Sequence, residues 1–355
     1  MSDSLYRRLQ KQLNQYSMGF PEAASGIEIE ILRGLFSETD AAMFTHMTPF
    51  LETPDAVAQR VRWSVDDVFQ KLDDMAERGL LFRIIKGDQR KYAAIPFVHG
   101  IFEFQVGDMS RDLAEKVQVY FDEVFHQAMR RNGDLFLRTI PVNRSIDADL
   151  RVASYDDAVE ILKGLEKIVV TNCVCRVRAG RMEEDCGKPL EVCFLFGSMG
   201  QYYVDRGMGR QISLDEAVSI LETCHEAGLV TQPASSQNPG GMCNCCGDCC
   251  GSLAAMNKHP KPATLVFSNY MAALDSDACS GCETCVARCQ MDALIMNGNG
   301  VCDLTVERCI GCGLCVTTCP SEALTLHPKP QDLQRVPPET TQNQMIAMAR
   351  RRGVL

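Results

Sequence analysis

Eight cysteines in two runs carry the strongest chemical signal in this sequence: Cys279, Cys282, Cys285 and Cys289, then Cys309, Cys312, Cys315 and Cys319. Both runs read C-x2-C-x2-C-x3-C. Thiolate sulfur is a soft ligand for iron and zinc. Two-residue gaps let the backbone wrap one face of an iron–sulfide cube and offer three sulfurs to three irons, so the fourth sulfur must come from further away. The second run repeats the first with a period of 30 residues. Leu274 maps onto Leu304, and Ala293-Leu294 onto Ala323-Leu324. A repeat with ligand spacing reads as a duplicated cluster-binding unit. A zinc ribbon or disulfides are the alternatives, and eight thiols in this double arrangement weigh against both.

A second concentration lies upstream. Cys243, Cys245, Cys246, Cys249 and Cys250 crowd one short stretch in which Gly247 and Gly251 permit tight turns. Neighbouring cysteines point in different directions, so Cys245-Cys246 and Cys249-Cys250 are not expected to serve one metal as pairs; some reach different centres. Cys173, Cys175, Cys186 and Cys193 are the natural complement. These nine are candidate ligands for at least one additional iron–sulfur cluster. The alternatives are a zinc held by four cysteines or a dithiol relay. Spacing alone does not say which four bind. Cys186, between Asp185 and Gly187, sits in a loop, and Cys193 at the start of an apolar helix. Cys224, within a helix, and Cys302, where the first repeat has Ala272, read as core thiols.

All 19 cysteines fall between Cys173 and Cys319, in a chain of 355 residues with formal net charge −10. Thiolate-bound clusters add negative charge, each cube with its four thiolates carrying about −2. A redox partner with a basic docking patch is therefore expected, while nucleic acid and an anionic membrane are not. No apolar run approaches the roughly 18 residues of a membrane span. The opening segment is a polar amphipathic helix without an apolar signal region. A cytoplasmic protein with reduced thiols follows as the expectation. There is no P-loop, no G-x-G-x-x-G opening a helix after a strand, and no nucleophile elbow; the six histidines show no paired ligand spacing.

The elements that must position these cysteines give an α+β fold. Helices are expected over Ile27–Phe36, from Glu38 to Met47, from Pro54 to Val61, and from Ser64 through Arg78 with Gly79 as the stop. Two strands within Leu81–Ala93 join at Gly87-Asp88. This order resembles a winged helix-turn-helix over residues 1–105. A helical connector (106–165) is expected to hold a helix from Ser110 to Arg131, a strand over Leu135–Pro141, and a helix capped by Ser154. A mixed helical and cysteine-rich middle domain (166–262) would hold a strand at Ile168–Thr171 and helices at Leu190–Asp205 and Ser213–Ala227. The duplicated unit (263–330) and a tail helix (331–355) complete the chain. The helix expected to read DNA carries Asp66, Asp67, Asp73, Asp74 and Glu77, which would repel phosphate.

The C-terminal runs resemble two-cluster [4Fe–4S] ferredoxins, in which the fourth cysteine of each run ligates the other cluster. That resemblance assigns Cys279, Cys282, Cys285 and Cys319 to one cluster, and Cys309, Cys312, Cys315 and Cys289 to the other. Pro320 follows the second run as in ferredoxins, but Gln290 follows the first, read here as a change in local loop rigidity. The whole chain resembles a family of 4Fe-4S binding proteins of anaerobic bacteria. The residues that carry this are Gly19-Phe20-Pro21, Ser25-Gly26-Ile27-Glu28, Asn172-Cys173-Val174-Cys175-Arg176 and Cys243-Asn244-Cys245-Cys246. The resemblance implies cluster binding and names no substrate. Three functions fit: an electron-transfer protein or subunit, a redox regulator using the winged helix, and an oxidoreductase with its site near Cys243–Cys250.

Overall fold

The computed structural model describes residues 2–147 and 152–355. Helix α1 (Ser2–Leu13) buries Tyr6, Leu9 and Leu13 at helical spacing. It is followed by α2 (Ile27–Leu35), α3 (Glu38–Phe44), α4 (Pro54–Val61) and α5 (Val65–Glu77). Ser37 and Asp40 close a capping box on α3, and Pro54 opens α4. Ser64 caps α5 through the Asp67 N–H. That helix buries Val68, Leu72 and Met75, while Val65 stays exposed. Strands β1 (Phe82–Lys86) and β2 (Gln89–Ala93) form the expected hairpin.

Helix α6 (Arg111–Tyr120) is capped by Ser110. A wider turn at Phe121–Phe125 leads into α7 (His126–Phe136). The strand expected over Leu135–Pro141 is absent. The helix continues through Phe136, and the following residues make only single bridges, Leu137 to Ala234 and Arg138 to Phe267. The buried Arg138 guanidinium holds this segment by donating to the carbonyls of Ala234, Ser236 and Tyr155. Asp157, not Ser154, caps α8 (Ala158–Lys163), because its carboxylate reaches the N–H groups of Val159 and Glu160.

The middle of the chain is a five-stranded antiparallel sheet. Its chain order is β3 (Ile168–Asn172), α9 (Val174–Arg181), β4 (Glu191–Phe196), α10 (Gly197–Asp205), β5 (Gly209–Ile212), α11 (Leu214–Glu226), β6 (Val230–Pro233), β7 (Gly241–Cys245) and α12 (Gly251–Asn257). The spatial order is β5-β3-β4-β7-β6. A helix over Leu190–Asp205 is thus corrected to a strand and a helix. Val192, Phe194 and Phe196 are buried at a period of two, and Gly197 breaks the chain with φ +54°. Cys193 therefore lies on β4. Ser213 caps α11 as expected, and Cys224 on that helix is fully buried.

Strand β8 (Tyr270–Leu274), α13 (Thr284–Arg288), β9 (Leu294–Met296), β10 (Cys302–Leu304) and β11 (Leu324–Pro328) build the duplicated unit. Strand β8 pairs with β11, and β9 with β10. Leu274 faces Leu324 and Leu304 faces Leu294, so each half completes its ladder with the other half. The last helix, α14 (Thr341–Arg352), packs on α7 and returns to the N-terminal region, where Arg352 donates to the carbonyls of Asn14, Tyr16 and Ser17. One continuous apolar core includes residues from Tyr6 to Met348. No helix among the described residues is long and apolar enough to cross a membrane.

Candidate metal centres

In the duplicated unit the sequence repeat is also a repeat of backbone conformation. Gly281 and Gly311 both have φ +70°, Glu283 and Gly313 have +61° and +74°, and Asp292 and Glu322 have +51° and +53°. A Cβ at Gly281 would strike the Gly300 carbonyl, and one at Gly311 the Tyr270 carbonyl. These turns wrap each run so that its thiols face inward. One cavity is lined by Cys279, Cys282, Cys285 and Cys319. A second is lined by Cys289, Cys309, Cys312 and Cys315. The Cys302 N–H lies 3.5 Å from the Cys279 sulfur, and the Ala272 N–H lies 3.5 Å from the Cys309 sulfur, again related by the repeat. The Ala293 N–H donates to the Cys289 sulfur at 3.3 Å. N–H groups aimed at sulfur stabilise thiolate and tune a bound cluster.

The two cavities differ in depth. Cys282 is exposed at the first. At the second, burial pushes the Cys312 thiol up to about 12 and raises Cys289 and Cys315. The inner set also touches the rest of the chain: the Val142 N–H donates to the Cys312 carbonyl at 3.0 Å. Cys302 is buried, and burial, with the Cys285 sulfur 3.6 Å away, pushes its thiol up to about 12.

The middle cysteines divide into two groups. Six thiols form a closed ring in which each interacts with two neighbours. Cys173 meets Cys175 and Cys193, Cys243 meets Cys193 and Cys245, and Cys250 meets Cys175 and Cys245. Local structure explains the placement. Cys173 ends the turn after β3 and caps α9, whose first turn carries Cys175. Cys193 comes from β4. Cys243 and Cys245 alternate with Asn244 on β7, so they share a face. Asn244 is fully buried, donates to the Val192 carbonyl and accepts from Thr231. Cys250 caps α12. Contacts with neighbouring thiols hold Cys173 and Cys243 below the ordinary thiol range.

Cys186, Cys246 and Cys249 form the other group, with all three sulfurs within 4.8 Å of one another. The adjacent pairs are therefore split: Cys245 and Cys250 belong to the ring, Cys246 and Cys249 to the trio. Contact with Cys249 lowers the Cys246 thiol to about 5. Cys224 joins neither group, and burial raises it to about 12.

Buried cations surround these sulfurs. Arg176 donates to the carbonyls of Pro189 and Asn244, and Arg178 to that of Cys249. Their Nε atoms, and Nη1 of Arg178, are buried without a protein partner. Burial would disfavour the Arg176 charge, but Cys173, Cys246, Cys245 and Cys193 raise its pKa. Orphaned cationic N–H groups beside many thiols fit an anionic metal–sulfur group.

The ring borders a chamber of about 200 Å³, walled by Phe102, Phe121, Phe125 and Phe136 and by Thr341, Gln344 and Met345 of α14. His99 sits at its edge in a left-handed conformation (φ +55°), its ring 4.2 Å from that of Phe136. It reaches the Cys243 thiol, a contact that raises the imidazole pKa against the effect of burial. Glu103 faces the same enclosed space, and burial pushes its carboxyl up to about 7. Sequence spacing gave no sign of either residue, since neither falls in a motif. Arg176 stood in the Asn172–Arg176 motif without a role. Gln290 was visible as a departure, and its amide oxygen accepts the Gly247 N–H at 2.5 Å.

The 4Fe-4S binding domain family matches residues 305–325, which span the second cysteine run. No curated protein matches the chain. No solved structure matches it either. The chain thus carries a ferredoxin-type 4Fe–4S binding domain towards its C-terminal end, within a mixed α and β structure.

Proposed function

We propose that this protein relays single electrons through three iron–sulfur centres. Two are [4Fe–4S] clusters with crossed ligation, Cys279, Cys282, Cys285 and Cys319 on one and Cys309, Cys312, Cys315 and Cys289 on the other. The third is held by the ring of Cys173, Cys175, Cys193, Cys243, Cys245 and Cys250. Clusters of this type supply one-electron transfer by delocalising charge over several irons. The domain divisions expected from sequence, at 105/106, 165/166, 262/263 and 330/331, belong to this reading.

One observation carries it: a buried thiol ring is flanked by unpartnered guanidinium N–H groups, and the loop that carries its Cys245 and Cys250 docks on the run that supplies Cys289. The Gly247–Gln290 hydrogen bond joins that loop to that run. The exposed Cys282 edge would then face a redox partner, and the chain's net negative charge suits a basic patch on it. Regulation through a winged helix has less support. Arg83 and Arg90 of the hairpin are bonded to Asp73, and Arg60 to Glu52, so these cations are engaged within the fold.

Iron and acid-labile sulfide per chain, measured on protein purified without oxygen, test the reading. About eight of each belong to two cubes alone, and about twelve or more require the ring. Cys245→Ser should lower the count. An unchanged count in that variant would remove the third centre. A second reading, an oxidoreductase, is favoured by His99 and Glu103 at the chamber beside the ring. A small molecule that oxidises the dithionite-reduced protein in a saturable way would support it.

A further inference from the structure

The doublets Cys245-Cys246 and Cys249-Cys250 each send one sulfur to the ring and one away from it. The two sulfurs sent away meet Cys186, from the turn before β4. This trio differs from every other cysteine set in its scale. Its three sulfurs lie within 4.8 Å of one another, and those of Cys186 and Cys246 are 3.9 Å apart. Among the described residues, no three sulfurs of the ring or of either ferredoxin-type set approach so closely.

Scale distinguishes the possible occupants. In a cube each thiolate sits outside its own iron, so the four sulfurs stand well apart. Around a single tetrahedral ion all sulfurs share one centre. With zinc–sulfur bonds of about 2.3 Å, tetrahedral geometry puts them roughly 3.8 Å apart. The Cys186–Cys246 separation matches the second case. The ferredoxin-type quartets, which carry the sequence spacing of cube ligands and bring no three described sulfurs within 4.8 Å, serve as an internal control within the same chain.

We propose that Cys186, Cys246 and Cys249 form a separate mononuclear site for a thiophilic divalent cation of the zinc class, with the fourth position open to water or an incoming ligand. No fourth cysteine, histidine or carboxylate among the described residues comes within the same range. Three thiolates and a divalent ion leave one negative charge. Lys188, from the turn before β4, stands beside it, tied to Asp248 of the loop after β7, and its charge is favoured by Asp248 and by Cys246 and Cys186. The ion would staple the turn before β4 to the loop after β7, which otherwise meet through that Lys188–Asp248 pair. The inference rests on the reading that the middle cysteines bind metal, but it takes these three out of the iron–sulfur centre.

The test is metal analysis of the full chain, purified without oxygen, dialysed and reloaded with zinc chloride. Wild type should hold about one zinc per chain beside its iron. Cys186→Ser should lose the zinc and keep iron and sulfide. Cys245→Ser should do the reverse, so failure of the third iron–sulfur centre is read separately. A fall in iron and sulfide by a cube's complement in Cys186→Ser would overturn the proposal, as would wild type that takes up no zinc. If Cys186→Ser does not fold, zinc-edge X-ray absorption on wild type decides. Three sulfurs at about 2.3 Å with one lighter neighbour support the site, and four sulfurs or a nearby iron exclude it.

Discussion

Gln290 accepts a hydrogen bond from the backbone N–H of Gly247, joining the first ferredoxin-type run to the cysteine loop of the middle sheet. Ferredoxins resembling this unit carry proline where Gln290 stands. A proline would stiffen the loop but could not accept this bond through a side chain. The departure is thus more than a change of loop rigidity: the residue docks one cysteine set against another. A Cβ on Gly247 would come within 3.0 Å of the Gln290 amide oxygen, so the approach also depends on glycine.

Gln290→Ala should leave all cysteine ligands in place and cost about 1 kcal/mol, the net value of one hydrogen bond. The specific readout is hydrogen exchange. The Gly247 N–H should exchange several-fold faster in the variant, while iron content stays unchanged. Equal protection in both proteins would refute the role of this bond.

Crossed ligation makes a prediction that uncrossed ligation reverses. In Cys319→Ser, alkylation followed by mass spectrometry should label Cys279, Cys282 and Cys285 early, leaving Cys309, Cys312 and Cys315 protected. Cys289→Ser should give the opposite map. Early labelling of Cys309, Cys312 and Cys315 in Cys319→Ser would show that each run serves its own cluster.

Gly311→Ala should be severe. The position requires φ +70°, and the added methyl meets the Tyr270 carbonyl. The left-handed conformation alone costs about 1–2 kcal/mol, and the contact adds to it. Gly240→Ala, with nothing near its Cβ, is the control. Iron retained after mild chelation should fall in the first variant and not in the second.

His225 offers a pH test. Burial, reinforced by Arg144 and Arg288, lowers its imidazole to about 4, and its Nε2 lies 3.1 Å from the Thr231 hydroxyl. The unfolded chain binds a proton near pH 6.5, but the folded chain resists it. Stability present above pH 6.5 is therefore lost as the pH falls towards 4, by about 3 kcal/mol over the full window. The local readout is exchange of the Leu229 N–H, which is bonded to the Cys224 carbonyl. Between about pH 6.5 and 5 its protection should fall in wild type relative to His225→Gln at the same pH. Parallel behaviour of the two proteins would count against the assignment.

Much of this fold was legible because local rules and tertiary packing agree. Ser64, Ser110 and Ser213 all cap the helices that the sequence starts at them. The 30-residue repeat carried its backbone geometry as well as its ligands. Sequence failed where two periodicities overlapped. Residues 190–205 are apolar enough for one helix, but Val192, Phe194 and Phe196 alternate, and the left-handed Gly197 separates strand from helix. The cysteine doublets showed that neighbours diverge, yet which sulfur joins which set depends on strand alternation in β7 and the turn at Gly247. His99 and Glu103 reach the chamber through the irregular backbone between β2 and α6, and no spacing rule describes such a segment.

Helix α14 forms part of the chamber wall through Thr341, Gln344 and Met345. On the ribosome this helix is translated after all 19 cysteines have been made. For that interval the thiol ring already exists as chain, while the wall that encloses it does not. Assembly of the proposed centre would then have an open side until the tail docks and Arg352 latches onto the segment at Asn14–Ser17. The order of synthesis thus leaves the ring accessible before it is sealed.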